Sequence, residues 1–527
     1  MDVMLMIADL GVCGGVENSW ERDSNGEFAT RFRSDLLQND SSDTVLSDLT
    51  ANTSHSLLLG KWLRNCDEKH EKCHRPSGKE NFWPKRVIYV GDPNKLTLVE
   101  EQPQGEDFLV LSHCWGPLTD QDKKRFCTTS ENYGSRKLGF SYDELPKTFQ
   151  DAIQVTQALR KKYLWIDALC IIQKGPDCDW ESESKAMADI FACAYCTIAA
   201  SSARGWGDGF LKPQLDLPNV GVQGRPSTPT CMCDFDKDVD KGSLMKRAWV
   251  LQERVLSRRI IHFTAAHTYC ECGDGVLCEQ LTELKPPSGK QYFILDPNFP
   301  ERLSKSGYER TADFVQFLFR KYSVSCLSFE TDREVAIYSL VERMGQVLGT
   351  EVRYGIFGCF RGSLLLWKRT HENKTPPIPY DKGRAVPSWS WMAYPGGIGF
   401  ISDTTRGLLV PCSDDLGFVN DGQALSVKVR KFRGTCRMEQ EEEEHAIFDG
   451  TEKVGSLWFD VADHIQFQDC FCVVVSMGKD DKKEDSRKTY YVLIIRQKVG
   501  GRGYERVGVG KVEAQYVSID CDTGMLW

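Results

Sequence analysis

Residues 108–116 read FLVLSHCWG, five residues of strand-like character that run into His113, Cys114, Trp115 and Gly116. Successive side chains on a strand point to opposite faces, so His113 and Cys114 do not pair with each other as base and nucleophile. A thiol hydrolase would need a distant histidine such as His262 or His267, and no feature of the sequence joins either one to Cys114. The carboxyl ends of strands in open α/β sheets are where such folds place their ligand crevices. Ser112, His113, Trp115 and Gly116 are therefore expected to line a pocket, with Cys114 buried and unreactive.

The surrounding segments alternate in type. Residues 147–162 follow the helical period, with Phe149, Ala152, Ile153, Thr156 and Leu159 on one face and Pro146 near the start. YLWIDALCII (163–172) is an almost continuous apolar run, which suits a strand buried on both faces. A second helix is expected from about Glu181 to Ala194, with Met187, Ile190, Phe191 and Ala194 as its buried stripe, followed by a short strand in TIAASSA. SLMKRAWVLQERVLS (243–257) reads as a helix with Leu244, Ala248, Leu251 and Val255 inward, and it leads into the strand RRIIHFT. Strand and helix in alternation predict an α/β domain built on a central parallel sheet.

The chain has 527 residues, enough for more than one core, because single cores rarely exceed about 250–300 residues. Residues 1–55 form a polar leader expected to carry little of the fold, and 56–275 form the α/β domain, with its core motifs at 108–255. Residues 276–385 form a mainly helical section containing TADFVQFLFRKYS and DREVAIYSLVERMG, and 386–527 a β-rich domain. The strand candidates of that last domain are PSWSWMA, ALSVKVRKF, CFCVVVSMG, TYYVLIIRQ and RVGVGKV, with KDDKKEDSRK as a solvated hairpin tip. A formal net charge of −9 argues against general affinity for nucleic acid. The opening MDVMLMIADLGVCGGV carries Asp2 and Asp9 and is too short to span a bilayer, so neither a signal peptide nor a membrane anchor is expected.

The 21 cysteines are scattered and odd in number, which fits reduced thiols in the cytosol. Two groups have metal-ligand character: Cys66, His70 and Cys73 with His74 adjacent, and Cys270, Cys272 and Cys278. The first three would share a helix face at i, i+4 and i+7. Neither group has the paired CxxC spacing of a structural zinc site, and buried thiols with a packed histidine, without metal, are the expectation. Asp167 lies in an otherwise apolar run and should be poorly exposed, either functional, paired with an arginine such as Arg247, or placed at a helix N-terminus. Glu183 lies three after Trp180 and four before Met187, on the buried stripe and in the first turn of its helix. A carboxylate beside an aromatic ring at the edge of an α/β crevice can stabilise an oxocarbenium-like transition state, as in cleavage of an N-glycosidic bond. In RAWVLQE, six residues separate Arg247 from Glu253, so the two should face different surroundings, with Trp249 packed on the sheet.

LVLSHCWG, LPKTFQDAIQVTQAL, YLWIDALCIIQ, DWESESKAMADIFACAYCTIAASSA and RAWVLQERVLS, in this order, resemble the HET (heterokaryon incompatibility) domain of filamentous fungi. The resemblance implies a fungal cytoplasmic protein of non-self recognition that triggers programmed cell death. Its partners would be further copies of itself or an allelic or non-allelic incompatibility protein. HET domains are in turn similar to TIR domains, a flavodoxin-like fold that in several lineages hydrolyses NAD through a glutamate on the helix after a central strand. Glu183 occupies the comparable place and is the candidate catalytic residue. Ser112, His113, Trp115, Gly116, Asp167, Trp180 and Arg247 would then shape the substrate pocket, with NAD as substrate and no cofactor or metal. The WxxE spacing here differs from the WxxxE of many TIR enzymes, and Ala168 stands where a serine is frequent. Two other readings remain open: a non-enzymatic self-association module of the same pathway, and an accessory role in fungal metabolism.

Overall fold

The structure is a computed structural model that describes residues 21–22 and, apart from short stretches, 51–211, 233–285 and 303–527. The chain divides into two compact units, Met1–Phe299 and Pro300–Trp527. Most of the leader and the opening apolar stretch lie outside the described residues.

The first unit begins with helix α1 (Ala51–Lys69) and the antiparallel pair β1 (Val87–Tyr89) and β2 (Thr97–Val99). Strand β3 (Phe108–Ser112) follows, with all five residues buried, each large apolar side chain contributing about 1.5–3 kcal/mol. Helix α2 (Lys147–Ala158) precedes β4 (Tyr163–Trp165), helix α3 (Trp180–Cys193) precedes β5 (Thr197–Ala199), and helix α4 (Ala248–Leu256) precedes β6 (Arg259–Phe263). Three antiparallel strands complete the sheet: β7 (Thr268–Cys272), β8 (Gly275–Cys278) and β9 (Glu283–Lys285), the last paired with the two-residue strand Glu21–Arg22.

The spatial order at the centre is β4-β3-β5-β6, all parallel, with β1 antiparallel to β4 and β7 antiparallel to β6. In chain order that centre reads second-first-third-fourth, the flavodoxin-like arrangement of doubly wound sheets. The expected parallel centre is present, and the sheet as a whole is mixed. Leu109 pairs with Leu164, so the FLVLS and YLW runs are neighbouring central strands. The topological switch point falls at β3, and the carboxyl end of β3 is SHCWG.

YLWIDALCII is a strand for only three residues. From Asp167 the chain turns into a single helical turn, Asp167–Cys170, because the carboxylate starts a helix N-terminus instead of crossing a buried sheet. Helix α2 ends four residues before the expected limit, and Arg160 adopts φ 57, a left-handed conformation that terminates it. The predicted stripe of α4 is buried, although Leu244 belongs to a preceding 3-10 turn, Leu244–Lys246.

The second unit opens with helices α5 (Tyr308–Ser323) and α6 (Val335–Leu348), the latter closed by Gly349 at φ 59. A ten-stranded sheet follows that includes Ala424–Lys431, Phe471–Gly478, Thr489–Gln497 and Tyr504–Glu513, four of the predicted strands. PSWSWMA is not a strand: Trp391–Ala393 forms a 3-10 turn capped by the Ser390 hydroxyl, and Trp389 and Trp391 are core side chains. Phe471–Gly478 and Thr489–Gln497 pair antiparallel, so KDDKKEDSRK connects a hairpin, though nearly all of it lies outside the described residues.

Candidate functional site

The site is assembled where β3 ends. The Ser112 hydroxyl donates to Glu253 Oε2 at 2.5 Å, both residues being buried. Burial pushes the Glu253 carboxyl up to about 7, opposed by the Ser112 hydrogen bond and by the Arg247 charge. His113 is also buried, its ring edge-on to Phe149, and Nε2 has no hydrogen-bond partner among the described residues. That nitrogen lies 3.9 Å from Asp167 Oδ1. Burial holds the imidazole neutral, with its pKa down to about 4 although Asp167 works in the other direction.

Trp115 Nε1 donates to Asp167 Oδ2 at 2.8 Å, and the Arg247 guanidinium donates to the His113 carbonyl oxygen. Asp167 therefore pairs with the indole of Trp115 and not with Arg247, and it is partly exposed, with 21% of its side chain accessible. Gly116 sits at φ 71 against Gly205, where a Cβ would come within 2.9 Å of the Gly205 Cα. The glycine lets the strand-end loop lie directly on the 204–208 loop, with Trp115 packed on Trp206. Cys114 is buried and its thiol pKa is raised by burial, as expected of an inert cysteine.

Ser112, His113, Trp115, Gly116, Asp167 and Arg247 are thus gathered at one strand end. Glu253 joins them, which corrects the expectation that Arg247 and Glu253 face apart. Helix α4 is short and buried almost all round, so Gln252, Glu253 and Arg254 are enclosed along with its apolar residues. The signal was available in the composition of α4, whose polar residues are hemmed in by apolar ones within a segment that leads directly into a buried strand. Arg254 uses its burial differently, bonding Glu271 through Nε at 3.0 Å and Nη2 at 2.8 Å. Trp249 is half-buried and packs edge-to-face on Trp180 of α3, ring centroids 5.4 Å apart.

Glu183 occupies the first turn of α3 and is 6% exposed. Its carboxylate accepts no hydrogen bond among the described residues, and burial raises its pKa, with the charges of Arg86 and Lys85 opposing. Arg86 is committed elsewhere: Nη2 reaches Asp179 Oδ2 at 2.5 Å and Nε donates to the Cys170 carbonyl at 2.7 Å. Glu183 is not hydrogen-bonded to the strand-end group. The one-turn helix Asp167–Cys170 has Asp167 bonded to Trp115 at its start and Cys170 held by Arg86 at its end. A small cavity lined by Ser112, Thr197, Ala199, Val250 and His262 among others has room for about one water.

Residues 108–253 match the family model described as heterokaryon incompatibility protein (HET). The chain carries a HET domain. The match runs from the first residue of β3 to Glu253, so both ends of the Ser112–Glu253 contact belong to the HET domain. No curated protein and no solved structure matches the chain. The HET domain supports a role related to heterokaryon incompatibility. No helix among the described residues is long and apolar enough to cross a membrane.

Proposed function

We propose that this chain is a cytoplasmic fungal protein of non-self recognition whose HET domain triggers programmed cell death by cleaving the N-glycosidic bond of NAD. The observation that carries the reading is Glu183: a buried residue whose carboxylate accepts no hydrogen bond among the described residues, in the first turn of the helix that follows a central strand of a flavodoxin-like sheet. As nicotinamide leaves, positive charge develops on the ribosyl carbon, and a poorly solvated carboxylate stabilises that charge far better than water does. Water then adds to the cation and completes hydrolysis. Trp180, three residues earlier, offers a ring to the substrate, while Ser112, His113, Trp115, Gly116, Asp167 and Arg247 shape the polar end of the crevice.

A second reading, a self-association module without catalysis, is favoured by the cavity at Ser112, which is water-sized and would have to open for a nucleotide. NAD consumption by the purified chain, with and without forced oligomerisation, separates the two. Turnover that rises on oligomerisation supports the enzyme, and its absence in the assembled form leaves the module.

A further inference from the structure

The two cysteine groups that stand far apart in the sequence meet in space. Helix α1 ends at Lys69, His70 breaks the helical path at φ −111, ψ 95, and a 3-10 turn, Glu71–Cys73, folds Cys73 back toward Cys66. Cys272 arrives from the end of β7, 202 residues from His70. The ligand atoms of Cys66, His70, Cys73 and Cys272 all lie within 4.8 Å of one another. His74, the fourth group suggested by the sequence, is exposed, and Cys278 packs with Phe235, Val239, Tyr269 and Val276.

We propose that Cys66, His70, Cys73 and Cys272 form a structural zinc site that fastens α1 to β7. The donor set, three thiolates and one imidazole, is that of a closed tetrahedral Cys3His centre. Bond lengths of about 2.3 Å to sulfur and 2.0 Å to nitrogen with tetrahedral angles put adjacent S and N ligands about 3.5 Å apart. His70 Nδ1 lies 3.4 Å from Cys272 Sγ and 3.9 Å from Cys73 Sγ, on either side of that value. Nδ1 therefore faces the sulfurs, and Nε2 lies 3.4 Å from the side-chain amide of Asn65, which is buried. The structure sets Asn65 Nδ2 toward it; with that amide turned over, the Asn65 oxygen would accept the Nε2 proton and fix the tautomer that presents Nδ1 to the metal.

The surroundings fit a site that is negative overall. Three thiolates outweigh the ion by one charge, and two buried cations hold the same segment: Arg258 donates to the Cys73 carbonyl at 3.0 Å, and Arg259 pairs with Asp67 at 2.7 Å. Sulfur-rich tetrahedral donors select zinc among common divalent ions. Leu59, Trp62, Leu63 and Cys66 form the buried stripe of α1, and the metal would add a fixed link between the C-terminal end of that helix and the end of β7.

The test is the metal content of the full chain purified without chelator, read by elemental analysis. One zinc per chain is expected. It should fall to near zero in Cys272→Ser and His70→Ala and persist in Cys178→Ser, an exposed thiol away from the cluster, and in Cys270→Ser, the neighbour that is not a ligand. Because ligand variants can fail to fold, the wild type carries a second readout: cobalt substitution should give the d–d and thiolate charge-transfer bands of a tetrahedral centre. Cys66, Cys73 and Cys272 should also become open to alkylation only after chelation. Wild-type protein that folds metal-free and takes up neither ion, or whose Cys66 is disulfide-bonded to Cys73, Cys270 or Cys272, overturns the proposal.

Discussion

The Ser112 hydroxyl and the Glu253 carboxylate meet at 2.5 Å across 141 residues of chain, joining the end of the central strand to a buried helix. The contact sets a protonation state as well as a position. Burial raises the Glu253 carboxyl from 4.5 to about 7, and burial lowers His113, one residue from Ser112, from 6.5 to about 4.

The first prediction follows from the signs. A carboxyl raised in the folded state contributes stability present below pH 4.5, and that contribution is lost as pH rises through about 7. The buried neutral imidazole does the reverse: its contribution is present above pH 6.5 and is lost as pH falls through about 4. Between the two ordinary values the slopes oppose each other. Glu253→Gln keeps an acceptor for Ser112 and removes the titration. Relative to wild type, its stability should therefore gain on the order of 3 kcal/mol as pH rises from about 4 to 8. Denaturant titrations across pH measure that difference directly, and parallel profiles would show that Glu253 does not titrate in this range.

Gly116 gives a second, asymmetric prediction. At φ 71 an L side chain is strained, and its Cβ would lie 2.9 Å from the Gly205 Cα, whereas a Cβ on Gly205 would meet the Gly116 Cα at an ordinary 3.4 Å. Gly116→Ala should cost about 1–3 kcal/mol, and Gly205→Ala much less. Equal melting temperatures for the two variants would contradict the close approach of these loops.

In the second unit, Arg506 is wholly enclosed. It bonds Asp460 at 2.8 Å and the Leu365 and Trp367 carbonyls, with its guanidinium 3.5 Å from the centre of the Trp367 ring. Asp460→Ala strands a buried cation and should cost about 3–5 kcal/mol. Amide exchange in the strand Tyr504–Glu513 should accelerate with it, and unchanged protection there would mean that the pair is not what holds the strand.

How much of this was legible beforehand depended on the range of the interaction. β3, α3 and the stripe Met187, Ile190, Phe191 are local patterns, written in apolar periodicity that a short window displays. For Asp167 the sequence leaves a functional role, an ion pair and a helix N-terminus open, because an apolar run does not reveal where a strand gives way to a helical turn, and the structure has the helix N-terminus. The role of Glu253 and the joining of Cys272 to the Cys66 group were hidden for a different reason. Each residue completes a group whose other members lie on elements distant in sequence, and only the sheet order β4-β3-β5-β6-β7 brings them together. PSWSWMA is a strand candidate by composition, yet Trp389 and Trp391 fill the core from a turn.

The last prediction concerns which carboxylate, if either, carries the proposed reaction. Glu183→Gln preserves volume and removes charge from a buried side chain that makes no hydrogen bond among the described residues, so the fold should survive. If the carboxylate stabilises a ribosyl cation, NAD cleavage should fall by about 10² or more, and cell killing with it. Glu253→Gln is the matched comparison, because Glu253 is already bonded to Ser112 and should affect cleavage mainly through the pH profile. Oligomeric state, NAD and viability need to be measured together, since loss of assembly would mimic loss of chemistry. Killing retained by a folded, assembled Glu183→Gln protein removes Glu183 from the mechanism. Killing by wild type without NAD loss removes the hydrolase and leaves self-association as the working reading of the HET domain.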